Sequence, residues 1–261
     1  MGNFALLIDL DGTVYSGGAA IPGAAESVRR LAAAGIPHLF VTNNSSRPPE
    51  AVAAALQGFG VPCAPEQVVT TAEAAAEYVA GRSPGAKVYA VGEAGLRSAL
   101  AAAGLALVED EPAEYVVQGI DREFTYRKLA AAVSQLLGGA AYVQTNPDRL
   151  LPWDGGYLPG AGAIGAAIRE ASGKEPVVIG KPSDRLMRYA LRRLPAGCEV
   201  WVVGDNPYTD VAAGAAAGLR TALVRTGLLR AYGADGPLPA GAPEPDLVCA
   251  DLPELLERLG L

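Results

Sequence analysis

The sequence predicts an α/β protein with a doubly wound parallel sheet. Short apolar runs alternate with longer Ala/Leu-rich stretches along the whole chain, the pattern of strands separated by crossover helices. The residues best suited to chemistry fall where those runs end. In open α/β sheets the ligand crevice lies outside the carboxyl ends of the strands. At 261 residues the chain has room for one large domain or two modest ones.

Phe4–Ile8 is predicted as a buried strand. Residues 24–34 follow as a helix that stops at Gly35, because glycine tolerates the left-handed backbone of a helix end. His38–Thr42 is the next strand and 50–58 the next helix, opened by Pro48 and Pro49. Val68–Thr70 reads as a short third strand and 73–80 as a helix. After the Ser83-Pro84-Gly85 turn, Lys87–Val91 is strand-like, 95–103 helical and Tyr115–Gln118 a strand. Tyr126–Leu137 is a helix and Ala141–Gln144 a strand. Residues 155–165 are glycine-rich and read as a loop feeding a helix at 164–171. A third stretch gives a strand at 177–179, a helix at 184–194 and a strand at 200–203. A helix at 211–217 and a strand at 221–224 complete it. A Pro/Gly-rich loop at 231–245 precedes a strand at Leu247–Cys249 and a helix at 253–259. There is no internal repeat of the solenoid kind.

Composition narrows the function classes. Half of the chain is hydrophobic and 19% is charged, with a net charge of −7 and a pI near 4.9. That balance argues against a nucleic-acid partner, which needs a basic face. It does not exclude phosphate esters, since a metal ion and a few fixed donors can dominate a pocket. Three widely spaced cysteines, Cys63, Cys198 and Cys249, fit neither a disulfide framework nor a zinc motif. They read as reduced thiols of a cytoplasmic protein. No cleavable signal opens the chain, Leu6 stands where a myristoylation site needs Ser or Thr, and no apolar run is long enough to span a membrane.

Four motifs carry the chemistry. In Ile8-Asp9-Leu10-Asp11-Gly12-Thr13, two carboxylates at i and i+2 leave the first strand toward one crevice. Close like charges repel, so the pair calls for a balancing cation. Magnesium, a hard ion that shares oxygen ligands with phosphates, suits it. So does a division of labour in which one aspartate attacks phosphorus and the other moves a proton. At Thr42 and Asn43 a hydroxyl and an amide can donate to phosphate oxygens. Lys181, between Gly180 and Pro182, is a fixed cation after a strand. Asp205 leaves another apolar strand, with Asp210 five residues on as an acid able to orient a metal ligand from behind. Thr209 or Asp210 also fits as the N-cap of the helix that follows.

Taken together, these motifs resemble the haloacid dehalogenase superfamily over essentially the whole chain. DLDGTVY at Asp9–Tyr15 and VTNNSSR at 41–47 resemble its NagD-like, 4-nitrophenylphosphatase branch. TNPD at 145–148, GKPS at 180–183 and GDNPYTD at 204–210 extend the match. The resemblance implies a Rossmann-like catalytic core at 1–72 and 178–261, with an α/β cap at 73–177 inserted into it. It implies Asp9 as nucleophile and magnesium ligand, and Asp11 as general acid and base that offers its backbone carbonyl to the metal. Thr42, Asn43 and Lys181 would hold the phosphoryl group. Asp205 would ligate Mg2+ directly, with Asp210 in support. Asn146, Asp148 and Tyr157 are the cap residues expected to select the substrate. The implied reaction is hydrolysis of a small phosphomonoester, such as a sugar phosphate, glycerol phosphate, pyridoxal phosphate or nucleoside monophosphate. A small phosphorylated metabolite is then the partner, with neither nucleic acid nor membrane. Caps of such families often provide dimer contacts, which leaves a homodimer open.

Two other classes compete. A phospho-receiver or sensor also gathers paired acids, Thr and Lys around magnesium, but as one domain of about 120 residues. This chain carries a cap-sized segment that such a module does not need. Gly160-Ala161-Gly162-Ala163-Ile164-Gly165 is formally the G-x-G-x-x-G of a dinucleotide-dependent oxidoreductase, yet the segment before it, with two prolines and a Gly-Gly pair, reads as loop where the motif requires a strand. His38 is the only histidine and reads as structural. Trp153 and Tyr157, beside the glycine-rich loop, suit either a leaving-group contact or packing. Arg185, Arg188, Arg192 and Arg193 read as a solvated helix face.

Overall fold

The computed structural model describes residues 4–153, 156–228, 238 and 240–261. It is an α/β protein whose described residues fall into two compact units. The first takes in Met1–Thr42, Pro49–Val69 and Lys181–Leu261, the second Asn43–Pro48 and Thr70–Gly180. Most of the loop expected at 231–245 lies outside the described residues, as does the side chain of Trp153.

The first unit is built on a six-stranded sheet. Its order is Leu247–Cys249, Arg220–Val224, Glu199–Gly204, Phe4–Ile8, His38–Thr42 and Val68–Thr70. Phe4–Ile8 pairs in parallel with Glu199–Gly204 from Phe4↔Glu199 to Ile8↔Val203, and with His38–Thr42 through Ile8↔Phe40. All five residues of Phe4–Ile8 are buried, because helices cover both faces of such a sheet. Strands added after Phe4–Ile8 go to one side and those added after Glu199–Gly204 go to the other. The winding therefore reverses between these two neighbours, where a crevice opens at the carboxyl ends.

Local chemistry shapes the flanking helices. Ala24–Ala33 buries Ala24, Ser27, Val28 and Leu31, a stripe spaced i, i+3, i+4, i+7, and turns Glu26 and Arg29 outward. It ends where Gly35 takes φ of 66°, with Ile36 N–H bonded back to Leu31 O at 3.0 Å. The helix after Val68–Thr70 begins at Thr71, two residues before the expected start. Thr70 caps it by accepting from Glu73 N–H while Glu73 returns a bond to Thr70 N–H. His38 is buried at its strand start. Its Nδ1–H donates to Ile36 O at 2.9 Å and its Nε2 lies 3.0 Å from the Gln67 amide, so burial holds it neutral with its pKa lowered.

The second unit carries a five-stranded parallel sheet. Its order is Val177–Val178, Ala141–Gln144, Tyr115–Gln118, Lys87–Val91 and Ala106–Leu107. Tyr89, Val91, Val116, Leu136, Tyr142 and Ile168 form much of its core. Two readings change here. The segment before Gly160 is not loop, because Leu150–Trp153 and Gly156–Pro159 pair as an antiparallel hairpin. An isolated two-stranded ribbon leaves each strand one open edge, where prolines need no ladder partner. The following helix is Ala161–Ser172, so Gly160 is its N-cap and Gly162 and Gly165, expected in or beside a loop, lie inside its first turns.

A further correction concerns the arginines. Their helix spans only Arg185–Leu191, and Arg193 lies beyond it, donating to the backbone carbonyls of Glu66 and Val68. Arg193 thus ties its segment to the start of strand Val68–Thr70 and is not part of a solvated face.

Candidate active site

Register brings the site together. Ile8 faces Val203 across the ladder and Asp9 N–H donates to Val203 O at 2.8 Å, so Asp9 and Asp205 leave adjacent strands within a residue of each other. Thr42 ends the strand on the other side of Phe4–Ile8 and is buried. Lys181 opens the last segment of the first unit, while the strand before it in the chain, Val177–Val178, belongs to the second unit's sheet.

Lys181 is 3% exposed, and its ammonium carries three N–H donors. It donates to a carboxylate oxygen of Asp9, to Oδ1 of Asp210 at 2.6 Å and to the Val41 carbonyl at 3.3 Å. Asp210 Oδ2 accepts from Asn206 N–H at 3.2 Å. Asp210 is thus not a helix cap. The chain makes a π-helical turn at Pro207–Val211, and the side chain that caps it is that of Asn206, accepting from Tyr208 N–H at 2.9 Å.

Asp205 is gripped by a turn the sequence reading passed over. Leu228 N–H donates to Asp205 Oδ2 at 2.6 Å, and Thr226 Oγ1 donates to Gly12 O at 2.6 Å. A Cβ on Gly12, Gly204 or Gly227 would overlap the Asp205 or Asp210 carboxylate, so three glycines make room for two acids. The signal was available: Thr226-Gly227 follows the strand Arg220–Val224, one more strand end beside the reversal point.

Carboxylate oxygens of Asp9, Asp205 and Asp210 all lie within 4.8 Å of one another. Burial pushes the Asp9 carboxyl well above the usual carboxylate range against the pull of Lys181, and its neighbours Asp210 and Asp205 add to the rise. Burial, then Asp210, lifts Asp205 to about 6. Burial works against the Lys181 charge, yet Asp210 and Asp9 outweigh it and hold its pKa above the ordinary lysine value. Three ionised acids against one ammonium leave two negative charges in excess. One divalent cation balances them, and all-oxygen donors are what a hard cation takes. The residues fit such an ion.

Asp11 is exposed and its Oδ2 accepts from Tyr15 Oη at 3.0 Å. Tyr15, which the sequence reading left without a role, stands on the short hairpin of Tyr15–Ser16 with Ala19–Ala20 and packs on Phe59 at 5.4 Å. The remaining site candidates lie in the second unit. Asp148 Oδ2 accepts from Asn43 Nδ2 at 3.0 Å and from Asn146 Nδ2 at 2.7 Å, which gathers these three. Tyr157 is apart from them on the hairpin, 71% exposed and with no hydrogen bond to them among the described residues.

Comparison with known proteins gives the family. A family model for haloacid dehalogenase-like hydrolases matches residues 6–106, and a HAD-hydrolase-like model matches residues 178–255. An acid sugar phosphatase of Staphylococcus aureus is 45% identical over 225 residues, 86% of this chain and 87% of the relative. The chain belongs to the haloacid dehalogenase-like hydrolases. Within that family it is an enzyme of the NagD-like phosphatase branch. The p-nitrophenyl phosphatase of Archaeoglobus fulgidus superposes with a TM-score of 0.90 at 37% identity, covering 98% of this chain and 99% of that one. A glycerol phosphate phosphatase of Mycobacterium tuberculosis, solved in complex with magnesium, gives 0.87 at 38% identity, covering 97% of this chain and 76% of that one. The G-x-G-x-x-G string does not support a dinucleotide site, because an antiparallel hairpin precedes it and its glycines are filled by neighbouring backbone and side-chain atoms. Among the described residues no helix is long and apolar enough to cross a membrane.

Proposed function

We propose that this enzyme hydrolyses small phosphomonoesters with the help of Mg2+, through a phosphoryl group carried on Asp9. The observation that carries the reading is the buried cluster of Asp9, Lys181, Asp205 and Asp210 at the carboxyl ends of the central strands. A carboxylate held against a lysine, with a second acid two residues on, is what in-line displacement at phosphorus needs. Asp9 Oδ attacks phosphorus and the ester P–O bond breaks. Asp11 gives its proton to the leaving oxygen. Water then attacks the phosphorus of the acyl phosphate while Asp11 takes its proton, and phosphate leaves as Asp9 is regenerated.

Lys181 steadies the charge on the phosphoryl oxygens, and Thr42 and Asn43 donate hydrogen bonds to them. Asp9, Asp205 and the Asp11 carbonyl would hold the metal, with Asp210 fixing Lys181 behind them. When bound, the cation supplies positive charge that keeps the carboxylates ionised and offsets the phosphoryl oxygens. Sugar phosphates, glycerol phosphate, pyridoxal phosphate and nucleoside monophosphates are the substrate classes. The names of its relatives support the first two. Asn146, Asp148 and Tyr157 are assigned to substrate selection. A cytoplasmic enzyme fits three free cysteines, two of them buried.

The test is phosphate release from a panel of these esters, with Mg2+ and with chelator. Mg2+-dependent release supports the reading. A folded protein that takes up phosphate from acetyl phosphate and does not turn it over would instead be a phospho-sensor.

A further inference from the structure

The glycine-rich string at 160–165 has no part in the reaction above, but it has a definite mechanical role in the second unit. A Cβ on Gly160 would overlap the Asp148 carbonyl oxygen, and one on Gly162 the Pro147 carbonyl oxygen. With hydrogens there instead, Gly162 N–H donates to Asp148 O at 2.8 Å and Gly160 N–H to Arg149 O at 2.9 Å. Gly165, one turn on, leaves room in the same way for the Gln144 amide at the end of its strand. The start of helix Ala161–Ser172 therefore pins the chain just after strand Ala141–Gln144 by its backbone.

Asp148 is the residue that this pinning aims. Its Oδ2 receives Asn43 Nδ2 at 3.0 Å and Asn146 Nδ2 at 2.7 Å, and Asn146 Oδ1 receives the Thr145 hydroxyl at 2.7 Å. Thr145 and Asn146 are buried and Asn43 and Asp148 are partly buried, so the anchoring end of the network is the part kept from competing water. Asn43 is tied at its main chain too, its carbonyl accepting from Thr71 Oγ1 at 2.9 Å. An asparagine amide turns broadly about χ2. A carboxylate accepts but does not donate, so Asp148 decides which end of the Asn43 amide faces it and in which plane the amide lies.

We propose that Asp148 is a positioning residue, which orients the Asn43 amide for the phosphoryl group, and that Gly160 and Gly162 set Asp148 for this task. It rests on the reading of Asn43 as a phosphate ligand. It changes the part given to Asp148 from contact with the substrate to control of a residue that makes contact. A misaimed donor at a phosphoryl oxygen costs rate, since positioning accounts for much of phosphoryl-transfer catalysis.

The experiment is a double-mutant cycle with 4-nitrophenyl phosphate and Mg2+, reading kcat and KM. Thermal melting checks each fold. Asn43→Ala is expected to lower kcat/KM, and Asp148→Ala to lower it by roughly tenfold or more. In the Asn43→Ala background, Asp148→Ala should cost less than about twofold, since the group it aims is gone. Asp148→Asn keeps an oxygen acceptor at the same place and should retain activity within about threefold, whereas a direct ionic contact with substrate would be lost in both variants. Gly162→Ala should reproduce Asp148→Ala. Where Asp148→Ala does not fold, Asp148→Ser, too short to reach Asn43, replaces it in the cycle. Additive losses with Asn43→Ala impaired overturn the positioning role and leave the phosphate reading of Asn43 standing. A silent Asn43→Ala overturns both.

Discussion

Replacing Asp205 by asparagine should make the metal-free protein more stable near neutral pH while removing its response to Mg2+. The folded state raises the Asp205 carboxyl from 3.8 to about 6, chiefly by burial and then by Asp210. A raised carboxyl holds its proton to higher pH folded than unfolded. Its contribution to stability is therefore complete below the unfolded value and is lost as pH climbs through about 6. A shift of about two units at 1.36 kcal/mol each amounts to roughly 3 kcal/mol at about pH 7. The asparagine side chain is isosteric with aspartate and its oxygen can still accept from Leu228 N–H, so the charge is what changes. In chelator, the Asp205→Asn protein should melt roughly 6–12 °C above the parent at about pH 7, with the gap closing toward about pH 4. Added Mg2+ should raise the parent by mass action and leave the variant where it was. Scanning calorimetry across pH, with chelator and with Mg2+, reads all of this. A metal-free variant less stable than the parent at neutral pH, or a gap that does not depend on pH, would refute the electrostatic account of the cluster.

Asp9→Asn should reduce phosphate release by roughly 10⁴-fold or more, because it removes the nucleophile with little change of volume. Near-parental turnover in a steady-state assay would eliminate the acyl-phosphate route. Lys181→Met takes one cation from two buried carboxylates and should cost roughly 3–5 kcal/mol in urea unfolding without metal. A loss below about 1 kcal/mol would show that the acids are not held by this lysine. Gly12→Ala forces a side chain onto a backbone at φ of 82° and against Asp205. It should cost about 1–3 kcal/mol and weaken Mg2+ activation of the enzyme, and an unchanged Mg2+ titration would count against Asp205 as a ligand.

What was legible in the sequence was whatever a strand end announces. Phe4–Ile8 is an unbroken apolar run and Asp9 is the first polar residue after it; Val200–Gly204 and Asp205 repeat the arrangement. The two-residue strands Tyr15–Ser16 and Ala19–Ala20 were not legible, because two residues carry no periodicity, and the role of Tyr15 was lost with them. The hairpin before Gly160 was masked by its prolines. The glycines of Ala161–Ser172 pointed to a loop because glycine disfavours helices in general. There Gly162 is selected by the carbonyls of residues 147 and 148 and Gly165 by the side-chain amides of Gln144 and Gln118, tertiary facts with no local trace. That Val177–Val178 belongs to the second unit's sheet is of the same kind, since a strand's partners are not written in its own residues.

The charge pattern explains why this site gathers at the reversal point of the sheet and nowhere else in the first unit. Three acids around one lysine are costly to bury, and no hydrophobic gain is collected there in return. The cost is bearable only where the backbone itself supplies acceptors and donors at fixed distances. Val41 O accepts from Lys181, Leu228 N–H donates to an oxygen of Asp205, and Asn206 N–H donates to one of Asp210. Val41 is the penultimate residue of its strand, and Asn206 and Leu228 lie two and four residues past theirs, in the region where the ladder stops and backbone polar groups become available to side chains. The same ending of the ladder that leaves backbone groups in need of partners thus provides the scaffold for a cluster that would otherwise fall apart. A cation bound among the acids completes the balance, so the stability of the site and its chemistry depend on one interaction.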